Sequence, residues 1–227
     1  MLTKRSTLYL YLIILVVLTS SCRLNKFLPQ DKTLFTGAEI EVNADEVKET
    51  SELKSKLNSA IKRNANSTFL GRRLGLYYHF KAQKENPGFI NKFLDKQIGE
   101  VPYYFESIDI DTDENILANR LQNSGYFGSK VTSSVERDST DRSISVKYSI
   151  DLAKPYRLKS YTLQKTLEDT LTIYKDIQSS LQSSIIKENG LFDLTLLKAE
   201  RERINQYLKQ RGYYNFNSNF LIFEADT

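Results

Sequence analysis

The chain has 227 residues, with 32 Lys and Arg against 28 Asp and Glu, one cysteine and one histidine. That length allows one or two small domains. The net charge of +4 falls to +2, or 30 bases against 28 acids, once residues 1–21 are set aside, because they hold Lys4 and Arg5 and no acid. Bases and acids are interspersed without a basic stripe, which argues against nucleic-acid binding, and a lone cysteine excludes an internal disulfide.

Lys4 and Arg5 precede an apolar run, Leu8 to Leu18, and Thr19-Ser20-Ser21 lead from it to Cys22. The run has the length of a signal-peptide core and is short for a membrane span. Residues 1–21 are therefore read as a signal peptide. The arrangement resembles a bacterial lipoprotein signal, in which Cys22 carries the lipid and becomes the new N-terminus. Thr19 stands where such signals usually have leucine. The alternative is an ordinary cleaved leader with an incidental cysteine.

Residues 22–32 are polar, contain Pro29, and read as a tether leading away from the lipid. From 33 to 43 the alternation at Glu39-Ile40-Glu41-Val42 predicts a strand. Leu53, Leu57, Ala60 and Ile61 share one face of a helix expected over 51–63, with Ser51 placed to cap it. Residues 64–105 are the least regular part. They hold a polar loop at 64–68, an aromatic segment from Phe69 to Phe80, a turn at Asn86-Pro87-Gly88, and a short amphipathic helix from Phe89 to Ile98. They are read as an insertion, packed as core or presented to a partner.

A repeat follows. Glu114 to Phe127 and Ala199 to Tyr214 align when Gly125 is set on Gly212, which places Leu117 on Ile204, Leu121 on Leu208 and Tyr126 on Tyr213. Each copy is an amphipathic helix stopped by a glycine that can take the left-handed cap conformation, followed at once by two aromatics that favour a strand. After the first copy, Lys130–Arg137 and Ile144–Ile150 alternate around a turn at Asp138–Arg142, a hairpin. Val131, Ser133 and Val135 are expected to face helices, with Thr132, Ser134 and Glu136 in water. Ala153-Lys154-Pro155 is a joint. Beyond it come a strand at 156–163, a helix at 173–187 stopped by Asn189-Gly190, a second helix capped by Asp193 or Thr195 and running to Arg211, and a strand at 213–224.

The order is strand, helix, helix, strand, strand, stated once in full and once without its last strand. It implies an α+β fold with a three-stranded sheet and two helices on one face. This order, with Gly125-Tyr126-Phe127 and Gly190-Leu191-Phe192, resembles the polypeptide-transport-associated (POTRA) domain. Cys22, Lys26-Phe27-Leu28-Pro29, Leu34 to Val42, Ile98 to Pro102, Ala199 to Arg203 and Phe223 to Asp226 resemble, in order and spacing, the N-terminal portion of lipoprotein members of the BamA/TamA-type outer-membrane assembly family of Bacteroidetes-like bacteria. The resemblance implies tandem POTRA-like units: 33–152 with an insertion near 64–105, and 153–227 lacking its last strand. It also implies a periplasmic location on the outer membrane. Members carry a transmembrane β-barrel after these domains, and no series of barrel strands follows here, so the chain is read as a truncated fragment. The first unit is expected to fold alone and the second to be weaker.

The residues argue against catalysis and against any cofactor. His79 is the sole histidine and sits between Tyr78 and Phe80, no cluster has metal-ligand spacing, and no phosphate loop occurs. Asp109, Asp111 and Asp113 resemble part of a calcium loop but lack its glycine and terminal glutamate, so they are read as a solvated turn. Glu200 to Arg203 is read as a solvated helix face. Through the resemblance, the expected function is a non-enzymatic scaffold that holds unfolded outer-membrane proteins or assembly partners. Strand addition would occur at the edge formed by Val131, Thr132, Ser133, Ser134 and Val135, with no small-molecule substrate. The competing readings are a structural envelope lipoprotein and an enzyme accessory domain.

Overall fold

Four apolar residues spaced by two, Ile144, Val146, Tyr148 and Ile150, are buried to 3 % exposure or less, and their strand is the middle of the only sheet among the described residues. The computed structural model describes residues 24–43, 50–61, 65–164 and 171–226. The leader and Cys22 lie outside them. The sheet runs β1 (Leu34–Asn43), β3 (Ser143–Asp151), β2 (Lys130–Asp138) in spatial order. The Leu34 amide bonds to the Arg142 carbonyl and the Leu152 amide to the Asn43 carbonyl, both at 3.1 Å, so β1 and β3 run parallel, while β2 and β3 form the expected hairpin. The fold class is α+β with an open three-stranded sheet and no closed barrel among the described residues.

Six α-helices accompany the sheet: α1 (Thr50–Ala60), α2 (Leu74–Ala82), α3 (Phe89–Ile98), α4 (Ile110–Asn123), α5 (Thr172–Ser180) and α6 (Leu194–Gln210). Helix α3 has the bounds its periodicity predicts. Helix α1 begins at Thr50, so Ser51 lies inside its first turn and is not its cap. Leu53 and Leu57 of α1, and Leu117 and Leu121 of α4, are buried. They occupy the i, i+4 positions that mark each helix's apolar stripe. Asp113, expected in a solvated turn, is 2 % exposed in the first turn of α4, where a carboxylate also favours the positive end of the helix dipole.

The described residues fall into two compact units, the first drawn from Met1–Glu39, Lys62–Ile110 and Ser133–Tyr148, the second from Ile40–Ile61, Asp111–Thr132 and Ser149–Thr227. In the first, the segment expected as a free tether is docked. Asn25–Phe27 form a 3-10 turn, Leu28 is buried with Leu34 and Leu76, and the Phe27 ring stacks on Phe80 of α2. Arg142 fixes this segment, since its guanidinium donates to the carbonyls of Pro29 at 2.6 Å, Lys32 at 2.9 Å and Gln30 at 3.0 Å. Glu100 ties the 65–68 loop to the residues after α3. It accepts from the Ser67 amide at 2.8 Å, the Ser67 hydroxyl and the Asn66 amide group. Burial alone would raise the Glu100 pKa, but these hydrogen bonds outweigh it and the pKa is lowered.

The second unit departs from expectation in three places. Residues 156–163 and 213–224 are not strands. The first makes a single bridge, Arg157 to Leu191, and the second only a 3-10 turn at Ser218–Phe220. Leu163, Phe216 and Leu221 still pack on a core of Ile177, Ile204 and Leu208, whereas Phe220 and Ile222 are exposed. A strand exists only through a hydrogen-bonded neighbour; residues 189–192 pair with 156–158 alone, and no described residue continues a ladder along 159–163 or 213–224. The helix expected over 173–187 ends at Ser180, followed by a 3-10 turn at Leu181–Ser183. Serine hydroxyls explain the stop. Those of Ser179, Ser180 and Ser183 bond back to the carbonyls of Lys175, Ile177 and Ser180, competing with helical amides.

Candidate functional site

Sheet edges are where a POTRA-like order would take a partner strand, and the two edges differ. On β1 the Phe35 amide bonds to the Tyr103 carbonyl at 2.8 Å and the Phe105 amide to the Thr33 carbonyl at 2.9 Å, with a bridge between Leu34 and Tyr104. Residues 103–105 thus cover the start of β1. On β2, no described residue outside the hairpin pairs with the strand. Val131 and Ser133 are half-buried and Thr132 and Ser134 exposed, as an alternating strand requires. Val135 breaks the pattern and is 37 % exposed, so the inward-facing side expected of this strand ends at Ser133. The Thr132 hydroxyl donates to the Ser149 carbonyl at 3.4 Å. Lys130, Glu136, Arg137 and Asp138 bracket the open backbone with charge, which discourages indiscriminate pairing.

The two glycines at the helix ends have φ +88° at Gly125 and +94° at Gly212. Each closes the same pair of bonds. The Gly125 amide bonds to Gln122 and the Tyr126 amide to Leu121; the Gly212 amide bonds to Lys209 and the Tyr213 amide to Leu208. This is the Schellman arrangement. Their surroundings differ. The Gly125 carbonyl accepts from the Tyr156 amide at 2.9 Å, the Phe192 amide bonds to the Tyr156 carbonyl, and the Phe127 ring meets Tyr156 and Phe192 at 5.2 Å each. A Cβ on Gly125 would lie 2.8 Å from the Phe192 carbonyl oxygen, whereas one on Gly212 would meet nothing within 4 Å. Tyr214, the counterpart of Phe127, is 80 % exposed.

The charged run on α6 is not a solvated face. The Glu200 side chain is fully buried and receives the Arg203 guanidinium at two points, both 2.8 Å, and the Ile185 amide at 3.2 Å. Arg203 also donates to the Ser180 carbonyl at 3.0 Å, sharing with the Ser183 hydroxyl an acceptor that no helical amide takes at the end of α5. Burial pushes the Glu200 pKa up, and bonds from Arg203, Ser184 and the Ile185 amide more than reverse this, so the pKa is lowered. Beside the pair, burial and then the Glu200 charge push Tyr161 up to about 12. Asp193 caps α6 by accepting from the Thr195 amide at 2.7 Å and also meets Lys56 at 3.4 Å. Alternating Glu and Arg reads as solvated, but helical spacing separates the two acids: Glu200 lies three residues after Leu197 and four before Ile204, on the buried stripe of α6, and Glu202 lies off it.

His79 bonds to Asp95 of α3 at 3.2 Å and to Gln83 at 2.8 Å, and so clips α2 to α3. No group of three or more potential metal ligands occurs among the described residues, and none of their helices is long and apolar enough to cross a membrane.

The family model for POTRA, described as the surface antigen variable number repeat, matches residues 35–152. The chain belongs to the POTRA family. Among solved structures it is similar to a crystal structure of Haemophilus influenzae BamA POTRA3-5, at 12% sequence identity and a TM-score of 0.25, over 79% of this chain and 88% of that one. No curated protein matches.

Proposed function

We propose that the chain is a non-enzymatic periplasmic scaffold of an outer-membrane protein assembly or translocation factor, and that it holds unfolded outer-membrane proteins by adding their strands to β2. The observation that carries this reading is the contrast between the two edges, one covered at Leu34 and the other open along Val131 to Val135. Main-chain hydrogen bonds would supply affinity with little demand on client sequence. That suits partners united by strand character.

A photo-crosslinking amino acid at Ser134, offered an extended barrel-derived peptide, is expected to form an adduct. The same group at exposed Glu188 is expected to form none. Equal capture at both positions, or none at Ser134, would reject the edge.

The outer membrane would hold the scaffold through a lipid on Cys22. A palmitate analogue is expected to label the wild type and not Cys22→Ser. Equal labelling of both would return the leader to an ordinary signal peptide.

A further inference from the structure

We propose that α3 is a membrane-contact helix, laid on an anionic phospholipid surface with Phe89, Ile90 and Phe93 at the acyl boundary. The inference rests on the lipid-anchored reading above and goes beyond it. Helix α3 presents its apolar residues outward, with Phe89 83 %, Ile90 68 % and Phe93 52 % exposed. At 3.6 residues per turn, Phe89, Ile90, Phe93 and Gln97 share one arc, and Lys92 and Lys96 flank it. The opposite arc, with Asn91, Leu94 and Asp95 partly buried, is the one that packs.

The helix is held in this orientation. Asp95 is bonded to His79 of α2. Gly75 of α2 approaches the end of α3 so closely that a Cβ there would lie 2.7 Å from the Ile98 carbonyl oxygen. Rolling α3 to bury its phenylalanines would break both contacts. Exposed aromatics beside lysines, on a helix whose polar arc faces protein, fit an interface between acyl chains and acidic headgroups.

Chain connectivity brings that surface within reach. Phe27 stacks on Phe80 of α2, meets Tyr77 edge-on, and has the Lys84 ammonium 5.1 Å from its ring centre. Cys22 lies five residues earlier in the sequence, a reach of at most about 17 Å. A lipid at Cys22 therefore keeps the α2–α3 hairpin next to the bilayer.

The test uses the mature chain with Cys22→Ser, tethered to chelator-lipid vesicles through an N-terminal histidine tag, so that its outcome does not depend on whether the natural chain is acylated. An environment-sensitive dye is placed at Gln97→Cys, with Ile222→Cys, an exposed apolar position in the other unit, as control. On vesicles of phosphatidylethanolamine and phosphatidylglycerol, the dye at 97 is expected to shift to the blue and to be quenched by spin-labelled acyl chains. The dye at 222 is expected to do neither. Phe89→Ser with Phe93→Ser should abolish the shift, and Lys92→Glu with Lys96→Glu should weaken it. The proposal is overturned by no shift at 97, by equal shifts at 97 and 222, by a shift that survives loss of both phenylalanines, or by one that grows with protein concentration when vesicles are left out. The last result would make the face a self-association surface.

Discussion

Arg203→Met is expected to destabilise the unit holding α5 and α6 by about 3 kcal/mol. Glu200 is fully buried, and Arg203 supplies two of the hydrogen bonds that keep its carboxylate charged. Removing the guanidinium leaves the Ile185 amide and Ser184 to hold a buried charge, and takes one of two donors from the Ser180 carbonyl, which keeps the Ser183 hydroxyl. Adding Glu200→Gln to that variant should recover part of the loss, because a neutral amide is cheaper to bury than an unpaired carboxylate.

The pH dependence follows from the lowered pKa of Glu200. A depressed folded-state value means that the contribution is present above the unfolded carboxylate value of about 4.3 and fades as pH falls through the folded value. In Arg203→Met, burial dominates and the carboxyl favours its protonated form, so the deficit should narrow in acid. Thermal melts of wild type and variants across pH check both points. A change within about 0.5 kcal/mol at neutral pH, the range of ordinary surface substitutions, would show the pair to be solvated after all.

Gly125→Ala should cost about 3 kcal/mol and Gly212→Ala about 1 kcal/mol. Both positions have positive φ, so both pay the left-handed strain of a Cβ. Only Gly125 faces a backbone atom, the Phe192 carbonyl at 2.8 Å from the added carbon. Relief would require residues 190–192 to move off Tyr156 and Phe127, undoing the ring contacts there. Denaturant melts of the two variants give the comparison directly. Equal costs would mean that the 190–192 segment yields freely and is not part of a rigid joint.

Hydrophobic spacing made the main elements legible. The hairpin, α3, α4 and α6 could be read from it because their apolar side chains recur at two or at three and four residues, and the glycine stops stood out because the same unit occurs twice. Spacing says which side of a segment is apolar and nothing about what it pairs with. Tyr161 and Leu163, and Leu221 and Phe223, keep the two-residue alternation of burial without forming a ladder. The early end of α5 depends on where three serine hydroxyls bond, which composition does not reveal. At the candidate edge, the strand and its outward residues were legible. That the start of β1 is covered was not, because it depends on residues 103–105, some seventy positions from Leu34 in sequence yet bonded beside it.

Backbone hydrogen exchange reports the proposed addition of a client strand to β2. When an extended barrel-derived peptide is added to the full chain, amides within Lys130 to Glu136 should slow, in alternation along the strand, while those of Phe89 to Ile98 stay unchanged. Protection that appears along Phe89 to Ile98, or anywhere other than β2, would contradict it.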